Sequence, residues 1–181
     1  QLAALFTTAA ANARCSHAVW VTGEGFQRVA NDTQPPSAWG ELPLGGTRSF
    51  EEAHGLLPPR LRRQGIRIVI SDLFWPGDPL PTLRKLTEGA AAVTLVQLLA
   101  PSDLEPPKPG NVQLEDSETG ETLSLYIDTT IQEQYRKTLQ RLQQSWDHAA
   151  QQTGAELVTL IADNLQGSLR SLEECRTLEP A

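Results

Sequence analysis

Few residues of this chain pair reactive chemistry with a position from which to use it, and Asp72 comes first among them. It follows Ile68, Val69, Ile70 and Ser71, a run without polar alternation, which is the pattern of a strand flanked on both faces. Beyond it stand the large apolar residues Leu73, Phe74 and Trp75, then a turn signal from Pro76 to Pro79. Open α/β sheets bind ligands at the carboxyl ends of their strands. A carboxylate at this point is therefore either a binding group at the sheet edge or a cap for the next helix. The pattern alone leaves both readings open.

Other reactive residues do not converge. Ser71 falls inside the strand, and His17, His54 and His148 are scattered among unlike elements, so no Ser/His/Asp arrangement or metal spacing emerges. Cys15 and Cys175 stand at opposite ends of the chain and form no disulfide framework. Reduced thiols are expected, with Cys15 packed in the core. Asp103, Glu105, Asp116 and Glu118 read as a solvated acidic rim around a hairpin rather than a second metal site. Gly23 and Gly25 lack the third glycine of a dinucleotide loop, and Gly45-Gly46 is followed by Thr47-Arg48 rather than Lys-Ser/Thr. Nucleotide binding is thus disfavoured.

These residues need elements to hold them. Apolar spacing predicts a helix over 1–14, a buried strand over 18–21 and a short edge strand over 26–30, paired as a hairpin through the intervening glycines. A long loop over 31–46 precedes a helix whose N-cap is Thr47 or Ser49 and which ends near Leu57, before Pro58-Pro59. After the central strand come a helix over 79–89 and a buried strand over 92–100. Alternating arms near 111–128 form an inserted, half-exposed β-hairpin. A long amphipathic helix over 129–153, with a capping box at Thr130 and Glu133, ends at Gly154. A last buried strand over 155–162 and a helix from Leu165 to about Arg176 complete the order. Such alternation predicts an α/β fold with a doubly wound, mostly parallel sheet and helices on both faces.

The 181 residues suit a single domain with a sizeable core. A net charge of −7 and a pI near 5.0 argue against nucleic acid or an anionic membrane as the main partner. No apolar stretch reaches membrane-spanning length and no secretory signal opens the chain, so a cytoplasmic setting is expected. The chain contains no methionine and starts in mid-pattern at Gln1. A domain over 1–181 truncated on its N-terminal side is the expectation.

From Ile68 onward the motif order resembles a known family. The pieces are Val69-Ile-Ser-Asp72, Leu99-Ala-Pro-Ser-Asp103-Leu-Glu105, and Leu114-Glu-Asp116-Ser-Glu118-Thr-Gly120-Glu121, followed by Asp128 and Tyr135. Together they resemble the bacterial "domain of unknown function 58" family, whose fold is that of von Willebrand factor type A domains. The likeness covers 65–165 closely and the earlier part more loosely. It implies a divalent-metal site at the carboxyl edge of the sheet, built from an Asp-x-Ser-x-Ser loop, a threonine and a later aspartate. By position Asp72 resembles that aspartate and Thr47 the threonine, although Thr47 equally suits a helix cap. The Asp-x-Ser-x-Ser loop and its central strand have no counterpart here, so the implied Mg2+ site is partial and expected to stay empty in this chain.

The resemblance also implies a role: a non-enzymatic protein interaction module of von Willebrand A type, open to divalent-metal assistance through the carboxyl edge of the sheet, working with a MoxR-type AAA+ ATPase. The alternative is a metal-dependent hydrolase using Asp72 on a Rossmann-like sheet.

Overall fold

The computed structural model describes residues 1–42, 44, 48–75, 77–115, 120–163 and 172. These divide into two compact units, Gln1–Leu61 and Arg62–Ala181.

In the first unit, helix α1 (Leu2–Asn12) buries Leu2, Phe6 and Thr7. Strands β1 (Trp20–Thr22) and β2 (Phe26–Arg28) form the expected antiparallel hairpin, with Val21 opposite Gln27. Helix α2 (Phe50–Leu56) starts at a capping box in which Ser49 and Glu52 satisfy each other's backbone amides. Of the two candidate caps, Ser49 serves; Thr47 lies outside the described residues. Gly25 is required by close approach, since a Cβ there would sit 2.7 Å from that of Leu57. The neighbouring Phe26 amide donates to the Leu57 carbonyl, and the Phe26 ring meets Phe50 edge-on at 5.2 Å.

Asp32 ties the loop that follows back to the hairpin. Its buried carboxylate accepts from the Val19 amide and from Arg28 Nε and Nη2 at 2.8–3.0 Å. His17 Nε2 lies 2.8 Å from the Asp32 carbonyl oxygen, which it reaches only as a donor. Two expectations fail in this unit. Cys15 is exposed rather than packed in the core, because the helix has ended and Arg14 turns the chain through a positive φ of 55°. Residues 18–21 do not form a buried parallel strand: only 20–22 is extended, it is half-buried to exposed, and among the described residues it pairs with β2 alone.

The second unit carries the parallel sheet. Strands β3 (Ile66–Ser71), β4 (Ala92–Leu99) and β7 (Glu156–Ile161) lie in the order β3-β4-β7, all parallel, with Ile70 beside Val96 and Val96 beside Val158. Helix α3 (Pro79–Thr87) connects β3 to β4. A short helix α4 (Pro101–Leu104), the hairpin β5–β6 (Gly110–Glu115 and Thr122–Ile127) and helix α5 (Thr129–Thr153) connect β4 to β7. Parallel crossovers are right-handed as a rule, and two that step in one direction leave their helices on one face. Accordingly α3 and α5 pack on each other as well as on the sheet. Leu83, Leu86, Trp146 and Ala149 of the helices are buried, as are Val93 and Leu95 on one face of the sheet and Val158 and Leu160 on the other.

Helix ends follow local chemistry. Asp78 and Asp128 accept from Leu80 N and Ile131 N at the starts of α3 and α5. The expected Thr130–Glu133 box is displaced, because Asp128 takes the cap two residues earlier. Gly154 closes α5 at φ 70°. Strand β3 is the exception to burial. It reads as doubly flanked, yet in the described sheet it is the edge; it is half-buried, with Ile66 72% exposed. The expected helix after Asp163 lies outside the described residues except for Leu172, which is helical and buried. Among the described residues no helix is long and apolar enough to cross a membrane.

The Asp32 node makes the first unit acid-sensitive. Burial pushes its carboxyl up, but the Arg28 hydrogen bonds, the Val19 amide and the charges of Arg28 and His17 outweigh it, leaving it below the ordinary carboxylate value. A lowered folded value contributes stability that is present above the unfolded value, about 3.9, and is lost as pH falls through the folded one. Amide exchange at Val19 read by NMR, relative to its intrinsic rate at each pH, should therefore accelerate below about pH 4. Asp32→Asn should accelerate it already at neutral pH and flatten the acid dependence.

Candidate functional site

The site is built where β3 stops. Ser71 is the last paired residue, level with Gln97 of β4, and Asp72 is the first residue beyond the sheet. The chain then turns through Leu73 at φ 60°. A left-handed conformation costs a residue with a side chain roughly 1–2 kcal/mol, so something must hold it. Leu73 is fully buried, which anchors the side chain, and its carbonyl accepts a buried hydrogen bond from Trp146 Nε1 at 2.9 Å. Its amide donates to Ser71 Oγ at 3.2 Å. Trp75 completes the brace by meeting Trp146 edge-on, centroids 5.4 Å apart at 70°.

A second tie runs through the sheet. The Asp72 carbonyl accepts from Gln97 Nε2 at 3.0 Å, while Gln97 Oε1 accepts from Thr159 Oγ1 at 3.0 Å. Gln97 is 1% exposed, so a buried amide is satisfied at both ends only if β3, β4 and β7 keep register. The Asp72 backbone is thus clamped from two sides, yet its side chain is exposed. Its Oδ1 accepts from Ser71 Oγ and from the Phe74 amide at 3.3 and 3.2 Å, which fixes the carboxylate's direction. Oδ2 accepts no hydrogen bond from a described residue. Phe74 beside it is 40% exposed.

This arrangement holds one oriented carboxylate and one hydroxyl at a sheet edge, next to an exposed aromatic ring. A divalent ion takes six or more oxygen ligands. Among the described residues no group of three or more His, Cys, Asp or Glu is placed to hold one. The described set therefore does not fit a metal by itself, and Thr47, the other proposed ligand, lies outside it. Among the described residues no histidine stands in hydrogen-bonding contact with Ser71; its hydroxyl donates to the Asp72 carboxylate and accepts from the Leu73 amide. His148 pairs with Gln152 on the exposed side of α5.

The other motif residues are structural. Asp103 Oδ2 accepts from the Ala100 amide at 2.7 Å and starts α4, while its carbonyl accepts from Tyr135 Oη at 2.9 Å. Burial and the Asp103 charge both push the Tyr135 phenol up. Gln132 Nε2 donates to the Pro107 carbonyl at 2.8 Å. The segment entering the hairpin is thereby pinned to the first turns of α5. Glu105 is exposed, and Asp116 and Glu118 lie outside the described residues. Sequence reasoning found Asp72 but missed its supports Leu73, Gln97, Trp146 and Thr159. A glutamine inside an otherwise apolar strand was the available signal.

The family model described as "Protein of unknown function DUF58" matches residues 27–145. An uncharacterized protein of Mycobacterium avium is 30% identical over 105 residues, 56% of this chain and 60% of that protein. Uncharacterized proteins of Mycobacterium bovis and Mycobacterium tuberculosis are 28% identical over 102 residues, again 56% of this chain but 32% of their own length. The matched stretch thus spans less than two thirds of these relatives. No solved structure matches.

The brace yields a direct expectation. Trp146→Phe leaves the Leu73 carbonyl buried without its donor, costing about 1–3 kcal/mol on top of the packing lost. Urea unfolding should show a lower midpoint with an unchanged slope.

Proposed function

We propose that this chain, which belongs to the DUF58 family of proteins of unknown function, is a non-enzymatic protein–protein interaction module of von Willebrand A type. Its binding edge is the carboxyl end of the parallel sheet, centred on Asp72. One observation carries the reading: an exposed carboxylate stands on a backbone clamped by Trp146 and Gln97, with a left-handed leucine beneath it. A chain maintains a strained, over-determined turn where the geometry is used, and here the turn presents the exposed carboxylate of Asp72 to solvent. An acid beside an exposed Phe74 offers a partner one charged and one apolar contact.

The doubly wound architecture belongs to the same proposal. The half-buried, two-faced apolar β3 supports a further strand beyond it, as a von Willebrand A sheet would have. Divalent-ion assistance, with Mg2+ the expected ion, needs ligands beyond Ser71 and Asp72 and enters as one arm of the test. The motif resemblance supports a MoxR-type AAA+ ATPase as the partner.

Purified chain and a MoxR-type ATPase from the same genome, mixed with Mg2+ or with chelator, test this by calorimetry. Asp72→Asn should weaken binding at least tenfold, about 1.4 kcal/mol, without changing thermal stability by a comparable amount. Wild-type affinity in the variant removes Asp72 from the surface. Equal affinity with and without chelator removes the ion. Turnover of a phosphoester or acyl substrate that Asp72→Asn abolishes would favour the hydrolase instead.

A further inference from the structure

We propose that the apolar face of the β5–β6 hairpin is a second docking surface, for a protein partner that presents an apolar contact bordered by lysine or arginine. Resting on the reading of the chain as an interaction module, the proposal does not depend on Asp72 or on a metal.

Pairing register sorts the hairpin into two unlike faces. Ile127 opposite Gly110, Leu125 opposite Val112 and Leu123 opposite Leu114 share one face. Tyr126 with Asn111, Ser124 with Gln113 and Thr122 with Glu115 share the other. An alternation this clean is that of a ribbon with one face against a core. The fold supplies that cover only at the root. Ile127 is 3% exposed, Val112 and Leu125 are half-buried, and Leu114 and Leu123 at the far end are 41% and 61% exposed. A two-stranded ribbon is marginal without a covering surface. Its root is nevertheless held by Tyr135, Gln132 and the Asp128 cap, so it leaves the fold in a set position. Because β3 and β4 are parallel and the hairpin lies on the path out of β4, it leaves from the same sheet edge as Asp72.

Charge selects the occupant. From Gly110 to Asp128 the chain carries Glu115, Asp116, Glu118, Glu121 and Asp128 and no lysine, arginine or histidine. Glu115 and Glu121 adjoin the exposed leucine pair and are exposed. A second copy would bring the same acids and the same net charge of −7 against this face, and like charges across an interface are unfavourable. An anionic lipid surface is repelled for the same reason. A protein with an apolar contact inside a basic border satisfies both features.

The test uses the whole chain and two synthetic helical peptides with the same leucine face, one otherwise rich in lysine and its twin rich in glutamate. NMR titration should show the lysine peptide shifting residues 112–115 and 121–125, and the glutamate twin should not. Leu114→Ser with Leu123→Ser should weaken binding at least tenfold. Glu115→Gln with Glu121→Gln, which leaves the apolar face intact, should weaken it and reduce its salt dependence; Asp72→Asn should leave it unchanged. A cross-strand contact between Asn111 and Tyr126 verifies the ribbon in each variant. Equal binding of both peptides, shifts mapping elsewhere, or wild-type affinity in the glutamine pair overturns the proposal. Sedimentation showing a dimer abolished by the serine pair also overturns it, in favour of self-association. If the hairpin fails here while Asp72→Asn still weakens ATPase binding, only the second surface is lost.

Discussion

The hydrogen bond from the Trp146 indole to the Leu73 carbonyl is what the candidate site depends on most. It joins the middle of α5 to the turn after β3, two segments 73 residues apart in sequence, inside a buried layer. Without it, a leucine in the left-handed region would have buried side-chain packing and a single Ser71 contact to offset its strain. With it, the turn has one arrangement, and Asp72 leaves the sheet in one direction. Gln97 and Thr159 provide the same service from the opposite side, linking three strands through one satisfied buried amide. A rigid support under an exposed acid favours recognition, since less ordering is required on association.

Much of this was legible in the sequence where periodicity and caps agree. The runs over 68–71, 92–100 and 155–162 read as strands because they are apolar and bounded by turn chemistry, and the Gly154 stop of α5 followed from its glycine. The half-exposed hairpin near 111–128 followed from alternation in both arms. Other features were not legible, for distinct physical reasons. Asp128 and Thr130 are both adequate caps, and only the path of the chain into α5 decides for Asp128. Residues 18–21 are apolar enough for a buried strand, but pairing to β2 is a local solution that periodicity does not distinguish from a place in a larger sheet. Cys15 looked like a core residue by type alone, while the left-handed Arg14 before it sends it to solvent.

The motif residues teach a different lesson. Asp103, Asp128 and Tyr135 carry much of the family likeness, yet their side chains are occupied in capping helices and fixing the entry to the hairpin. Their shared role is to place β5 and β6 relative to α5. A pattern of acids and a tyrosine that could be taken for chemistry is, in the fold, the mounting of a protruding ribbon. Asp72 differs from them in having a constrained backbone and an exposed carboxylate, which is why the functional reading rests there.

We infer that the Leu73–Trp146 brace exists to present Asp72. A double-mutant cycle on partner binding tests it most directly, with Asp72→Asn, Trp146→Phe and the pair measured against wild type under conditions where all four chains are folded. If the brace acts through Asp72, Trp146→Phe weakens binding in the wild-type background but adds little once Asp72 is gone, so the two losses fall well short of additive. Additive losses, or no effect of Trp146→Phe on binding by the folded chain, would contradict the account.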